Sequence, residues 1–131
     1  MSEISWKEIL GWTDEQLDEL RFAGYSYFRE GHYETAVSFF EALIVINPSY
    51  VYDLQALGGI YLQMNASEKA LKILNDALAL DPAHEPTLLN KVKALIALDQ
   101  KSEALNLAQL LKKSPVSRIA DDATALIMAY S

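Results

Sequence analysis

Catalysis needs groups that can move a proton, hold a metal or attack a substrate, set close together, and this chain offers few of them. His32 and His84 are its only imidazoles, and it has no cysteine. Each histidine falls in a predicted turn of a different segment, so both read as surface turn residues, and neither has the further histidine or thiolate that a metal site needs. The lack of cysteine also excludes disulfides, thiolate redox chemistry and a cysteine nucleophile, and it suits a reducing compartment. Carboxylates come as sequence neighbours, Asp14/Glu15, Asp18/Glu19 and Asp121/Asp122. Adjacent residues of a helix point to different faces, so these pairs read as helix-start charge and solvated surface rather than as an acid–base couple. There is no glycine-rich phosphate loop and no Ser/His/Asp arrangement. The expectation is a binding protein and not an enzyme, with no catalytic residue, no metal and no cofactor.

Charge and composition narrow the partners. The formal net charge is −7 with a pI near 4.7, which repels nucleic acid and anionic membrane surfaces. The basic pairs Lys91/Lys93 and Lys112/Lys113 read as solvated helix faces. The opening residues carry Glu3, Lys7 and Glu8, unlike a signal peptide, and no apolar run reaches the length of a membrane span. A cytoplasmic protein is expected. With 131 residues and 51% hydrophobic content, one domain with a contiguous core is expected.

The elements that would build a binding surface follow from a repeat. Residues 17–48 read as two amphipathic helices joined at Gly31 and stopped at Asn47 and Pro48, because proline lacks the donor that continues a helix. A shift of 34 positions lays Gly24 on Gly58, Tyr27 on Tyr61, Ala36 on Ala70, Phe40 on Leu74 and Pro48 on Pro82. A second shift lays Tyr61 on Leu95 and Ala70 on Ala104. A fixed period of this length marks stacked helical hairpins.

The expected all-α domain spans 1–131: a leading helix within 1–12, repeats over 14–48, 49–82 and 85–115, and a capping helix over 117–131. Thr13 and Gln16 form a capping box at the first long helix, and Ser49 and Ser117 are expected to cap later ones. Ala36, Phe39, Phe40, Leu43 and Ile46 share one buried face. Glycine inside a helix costs about 1 kcal/mol relative to alanine. Gly24 and Gly58 therefore imply close approach of the paired helix, with Ala36, Ala70 and Ala104 as small partners and Tyr27 and Tyr61 filling space between layers. Ile119, Ala123, Leu126, Ile127 and Tyr130 can cover the last hairpin, whose open end would otherwise expose the core. Ile4, Trp6, Ile9 and Trp12 are many large apolar groups for a short leading helix, and they make it a candidate dimer contact.

In the first unit Leu20, Gly24, Tyr27, Gly31, Tyr33, Ala36, Phe40 and Pro48 stand where the tetratricopeptide repeat places large, small, aromatic and proline residues, and the chain resembles that family. The second unit keeps Leu57, Gly58, Tyr61, Ala70, Ala77, Leu80 and Pro82, with Asn65 in place of the turn glycine and Ser67 in place of an aromatic. In the third, Lys91 and Val92 replace leucine and glycine, while Leu95, Ala104 and Pro115 keep the frame. The resemblance implies a right-handed superhelix of about three hairpins whose first helices line a concave groove for a peptide. The groove residues it implies are Arg21, Tyr25, Phe28 and Arg29 from unit one, Tyr52, Gln55, Leu62 and Gln63 from unit two, and Leu89, Lys93 and Ile96 from unit three. Tyr25, Ala56 and Pro86 stand where relatives that grip heat-shock chaperone tails carry polar or cationic clamp residues, and only Arg21 and Asn90 could imitate that clamp. A heat-shock co-chaperone is disfavoured.

A closer resemblance is to the small acidic chaperones of bacterial type III secretion, above all the translocator-chaperone class. It rests on Gly24, Tyr25, Gly31, Tyr33, Ala36, Phe40, Ala42 and Leu43, together with the leading helix. What it implies is a cytoplasmic bacterial protein that holds a secreted translocator or needle subunit in its groove, with a possible homodimer or co-chaperone. A translocator would enter as an extended segment and a needle subunit as an amphipathic helix. The competing expectation is a structural adaptor that scaffolds a stable complex.

Overall fold

The alternation of apolar stripes with turn residues yields a chain of helices. The structure, a computed structural model, describes residues 5–131, so Ile4 lies outside the described residues. Among the described residues there are eight helices and no strand: α1 (Trp6–Leu10), α2 (Asp14–Arg29), α3 (Tyr33–Ile46), α4 (Val51–Gln63), α5 (Ser67–Leu80), α6 (Glu85–Ala97), α7 (Lys101–Leu111) and α8 (Ser117–Tyr130). Each packs on the next from α2 to α8, and α4–α6 and α6–α8 also touch, so the first helices of successive hairpins lie side by side.

One turn ends the first helix of each of the three hairpins. Gly31, Asn65 and Asp99 take φ of 82°, 58° and 61°, the left-handed conformation that ends a helix. The N–H of the residue after each donates back to the carbonyl of Tyr27 (2.9 Å), Tyr61 (2.9 Å) and Leu95 (2.8 Å). The N–H groups of Gly31, Asn65 and Asp99 donate to Phe28, Leu62 and Ile96 at 3.0, 3.1 and 3.0 Å. This double bond pattern is the Schellman motif, which satisfies the last carbonyls of α2, α4 and α6. Asparagine and aspartate replace glycine because their short polar side chains tolerate the left-handed region.

The hairpins close on size complementarity. A Cβ on Gly24 would lie 2.8 Å from Phe40 Cε2, and one on Gly58 would lie 2.5 Å from Leu74 Cδ2 and 2.7 Å from its Cγ. The close approach is therefore present, but its partners are the large residues one turn beyond Ala36 and Ala70, which are themselves fully buried. The third unit exchanges the sizes: Val92 takes the glycine position and Ala108 the large one, and both are fully buried in the same cluster. Three adjoining clusters result, centred on Leu17, Phe40, Leu43 and Leu57, on Ala70, Leu74 and Ala94, and on Leu89, Val92, Leu95 and Ile119. Ile119 and Ala123 of α8 close the last of these, with Leu126 and Ile127 packed beside them. Tyr61 packs between the first two clusters, whereas Tyr27 stacks on Phe39 at 5.4 Å and stays partly exposed.

The N-terminal box of α2 forms: Gln16 N–H donates to Thr13 Oγ1 (3.1 Å) and Thr13 N–H to Gln16 Oε1 (2.9 Å). Two other expected caps do not. Tyr50, not Ser49, precedes α4, and Ser117 is already the first residue of α8. There Ser114 Oγ accepts from Val116 N–H instead (3.0 Å), two residues earlier. α1 is joined to α2 by a Lys7–Asp14 salt bridge, and Trp12 packs against the first cluster.

The two neighbouring glycines of α4 make opposite predictions. Gly58→Ala drives a Cβ into Leu74 and is expected to destabilise by about 1–2 kcal/mol even after the helix-propensity gain. A Cβ at Gly59 would meet only Asn90 Nδ2, at 3.6 Å, an ordinary contact. Gly59→Ala is therefore expected to stabilise by about 0.5–1 kcal/mol. Urea unfolding of both variants checks the pair, and equal signs would contradict the packing described.

Candidate protein-binding groove

Because the first helices lie side by side, their inner faces enclose a cavity of ≈ 600 Å³. Tyr25 and Phe28 of α2 form one wall, and Gln55, Ala56, Gly59, Ile60, Leu62 and Gln63 of α4 form the floor. Asn65 comes from the turn after α4, Ser67 from the start of α5, Asn90, Lys93 and Ala97 from α6, and Arg118 from α8. A smaller cavity of ≈ 260 Å³ continues between α4, α6 and α8, sharing Gln55, Asn90, Lys93 and Arg118 and adding Pro86, Leu89, Ile119 and Asp122. The floor carries glycine at 59 with no packing demand behind it, which leaves α4 backbone open to whatever occupies the groove.

Core packing holds the aromatic wall in place. The Tyr25 ring meets Phe40 edge-on at 5.0 Å, and Phe28 tilts against Tyr33 at 5.6 Å. Burial, with the Asp53 carboxylate nearby, pushes the Tyr25 hydroxyl above its ordinary range, so it stays a neutral hydrogen-bonding group.

Of the eleven residues expected in the groove, Tyr25, Phe28, Gln55, Leu62, Gln63 and Lys93 line the larger cavity. The other five sit elsewhere. Leu89 is a core residue that touches only the smaller cavity, and Ile96 packs at the edge of the same core. Arg29 donates to Ser26 Oγ at 3.2 Å, and Tyr52 packs on Tyr50 (5.4 Å) and edge-on to His84 (5.0 Å), outside the cavity.

Arg21 is occupied. Its Nε and Nη2 donate to the two carboxylate oxygens of Asp53 at 2.6 and 2.9 Å, and Nη1 donates to Asp18 at 2.7 Å. The guanidinium also lies 4.1 Å over the Tyr50 ring. Asp53 is fully buried, and burial pushes its carboxyl up against the opposing pull of Arg21. A raised carboxyl takes up a proton on folding, so acidification from neutral pH does not weaken the fold through this group.

Sequence reasoning missed Asp53, Asn90 as a lining residue, and Arg118. Asp53 interrupts the apolar stripe of α4 between Tyr52 and Leu54, and a charge at a buried helix position is the signal that calls for a partner. His84 also departs from expectation: it is buried, not a surface turn residue, with Nδ1 2.7 Å from the buried Thr87 Oγ1. His32 is exposed.

An array of paired helices with an open inner groove is a helical-repeat fold. The tetratricopeptide repeat model matches residues 22–50 and 54–84, which overlap the first two hairpins. No curated protein sequence matches it. Its fold is similar to that of the type III secretion translocator chaperone SycD of Yersinia enterocolitica, with a TM-score of 0.87 at 16% identity over 98% of this chain and 99% of that one. It is similar to PcrH of Pseudomonas aeruginosa in complex with the chaperone binding region of PopD, with a TM-score of 0.79 at 18% identity over 92% and 94% of the two chains. SycD in complex with a peptide of the translocator YopD gives 0.77 at 18% identity over 90% and 94%. Among the described residues no helix is long and apolar enough to cross a membrane.

Asp53→Ala strands the Arg21 guanidinium and is expected to cost about 3 kcal/mol. The double variant Arg21→Met/Asp53→Leu is expected to recover most of that loss, because two matched apolar groups need no desolvation offset. Chemical denaturation of the single and double variants measures the coupling, and a double variant as unstable as the sum of the singles would show that the pair acts independently.

Proposed function

We propose that this chain is a non-catalytic chaperone of a bacterial type III secretion system, acting in the cytoplasm and holding an apolar segment of a translocator subunit in its groove until handover. The observation that carries the reading is an open groove lined by Tyr25, Phe28 and Leu62 in a fold that matches SycD over nearly the full length of both chains. PcrH and SycD, which share that fold, have been solved with the chaperone binding region of PopD and with a peptide of the translocator YopD. The likeness to translocator chaperones favours an extended segment over the helix of a needle subunit.

The mechanism needs only burial. Each aromatic or leucine-sized anchor contributes about 1.5–3 kcal/mol by area. Three or four such anchors exceed the association cost by a modest margin, which gives the reversible grip that handover requires. The exposed Trp6, Ile9 and Leu10 of α1 provide a second contact, between copies of the chain, and SycD has been solved as an alternative dimer.

Tyr25→Glu/Leu62→Glu places two charges on the groove wall while leaving the buried core residues in place. Co-purification of the translocator subunit from the native bacterium is expected to fall at least about a hundredfold, matching the loss of two anchors at about 1.5 kcal/mol or more each, with an unchanged circular dichroism spectrum. Undiminished co-purification with a folded variant would sink the groove reading. For the second contact, removal of residues 1–12 is expected to lower the mass seen by light scattering to that of a monomer, and an unchanged mass would rule out the α1 dimer.

A further inference from the structure

Charge is spread unevenly over this molecule. The chain carries a formal −7, yet among the described residues lining the groove none is acidic and two, Lys93 and Arg118, are cationic. Both are exposed. The salt bridges among the described residues are made by other groups, namely Lys7, Arg21 and Lys72, with His32 3.8 Å from Glu30. Asp122, one turn beyond Arg118 on α8, is the single acidic residue of the adjoining cavity, and it makes none of those bridges.

Lys93 and Arg118 come from different helices, α6 and α8, and both line both cavities, so two like charges share this part of the groove, and no salt bridge among the described residues pairs either. The amides of Gln55 and Asn90 line the same two cavities and add N–H donors. The part of the groove lined by the larger cavity alone carries the apolar and aromatic Tyr25, Phe28, Ile60 and Leu62, beside the uncharged Gln63, Asn65 and Ser67. The groove is thus graded from an uncharged, largely apolar part to an end rich in donors and positive charge.

We propose that this end is a carboxylate subsite: Lys93 and Arg118, helped by the amides of Gln55 and Asn90, take the side chain of an aspartate or glutamate in the bound segment, close along the chain to the apolar residue seated against Tyr25 and Leu62. The proposal rests on the groove reading above and adds a chemical requirement on its occupant. A guanidinium offers a planar pair of donors that fits a carboxylate, and an ammonium beside it adds a second charge-assisted bond. Within the groove only this end carries cations, so a carboxylate of the bound segment is favoured there and fixes the register in which the segment lies. Apolar anchors supply the grip, and the carboxylate decides which way and how far along the groove the segment sits.

The probe is a library of random peptide segments displayed internally, without free C-termini, and selected on the full chain. The strongest binder is then synthesised with its acidic residue intact and as the amide, and both forms are titrated against wild type and Lys93→Gln/Arg118→Gln by fluorescence anisotropy. The expected result is enrichment of Asp or Glu at a fixed spacing from an apolar residue. Replacing the acid should weaken binding to wild type about fivefold and leave binding to the double variant within about twofold. Binders without acid enrichment, or an equal loss in both proteins, overturn the subsite while leaving the groove reading intact. A peptide that gains as much from a free C-terminal carboxylate as from the internal acid also overturns it, by assigning the cations to a chain terminus. Selected peptides that bind Tyr25→Glu as well as wild type overturn both readings.

Discussion

Where α2 crosses α3, Gly24 leaves a space that the Phe40 ring fills, and the same exchange between Gly58 and Leu74 seats α4 on α5. These contacts set how near the second helix of each hairpin lies, and so where the first helix stands in the row that walls the groove. Cores are packed to crystal-like density, so a displacement of one methyl group at this depth is felt by its neighbours. The third hairpin reaches the same end with Val92 and Ala108, keeping the combined volume while moving the bulk from one helix to the other. Volume-conserving exchanges of this kind are the ones a core tolerates best. Phe40 serves twice, since it fills the space at Gly24 and carries the Tyr25 ring on its edge.

The charged groups divide into those the fold uses and those it leaves available. Arg21 is bound by the buried Asp53 and by Asp18, and so becomes a brace between α2 and α4 rather than a hand for a ligand. A buried ion pair is weak support for stability but strong support for a particular arrangement, because either partner alone is costly. Lys93 and Arg118 sit in the groove without such partners, and the two amides beside them have no role in the core. What the groove presents to a partner is therefore an aromatic wall, an open glycine floor and a positive end.

Much of this was legible in the sequence because the repeat is written in residue size. The period of 34 positions relating Gly24 to Gly58 and Phe40 to Leu74 is the same period that relates the turn residues Gly31, Asn65 and Asp99. The loss of glycine at 65 reads in the sequence as decay of the motif, but the backbone there, and at Asp99, keeps the conformation of Gly31, which asparagine and aspartate also adopt. Val92 looked like decay for a similar reason, until Ala108 is set beside it. The groove was only half legible. Helical spacing tells which residues share a face, but it does not tell which of them meet a neighbour: Leu89 and Ile96 turn into the core, and Arg21 is claimed by a residue 32 positions away. Arg118 enters the groove from the capping helix, an element whose sequence speaks only of covering the last hairpin.

The most direct test of the groove as the binding surface is site-specific photo-crosslinking in the native bacterium. A photoreactive residue at Leu62 faces the cavity, while one at Val45 of α3 is exposed outside it. The account predicts a crosslink from position 62 to a translocator subunit and none from position 45. A crosslink from 45 alone would place the partner on the outer face and contradict it.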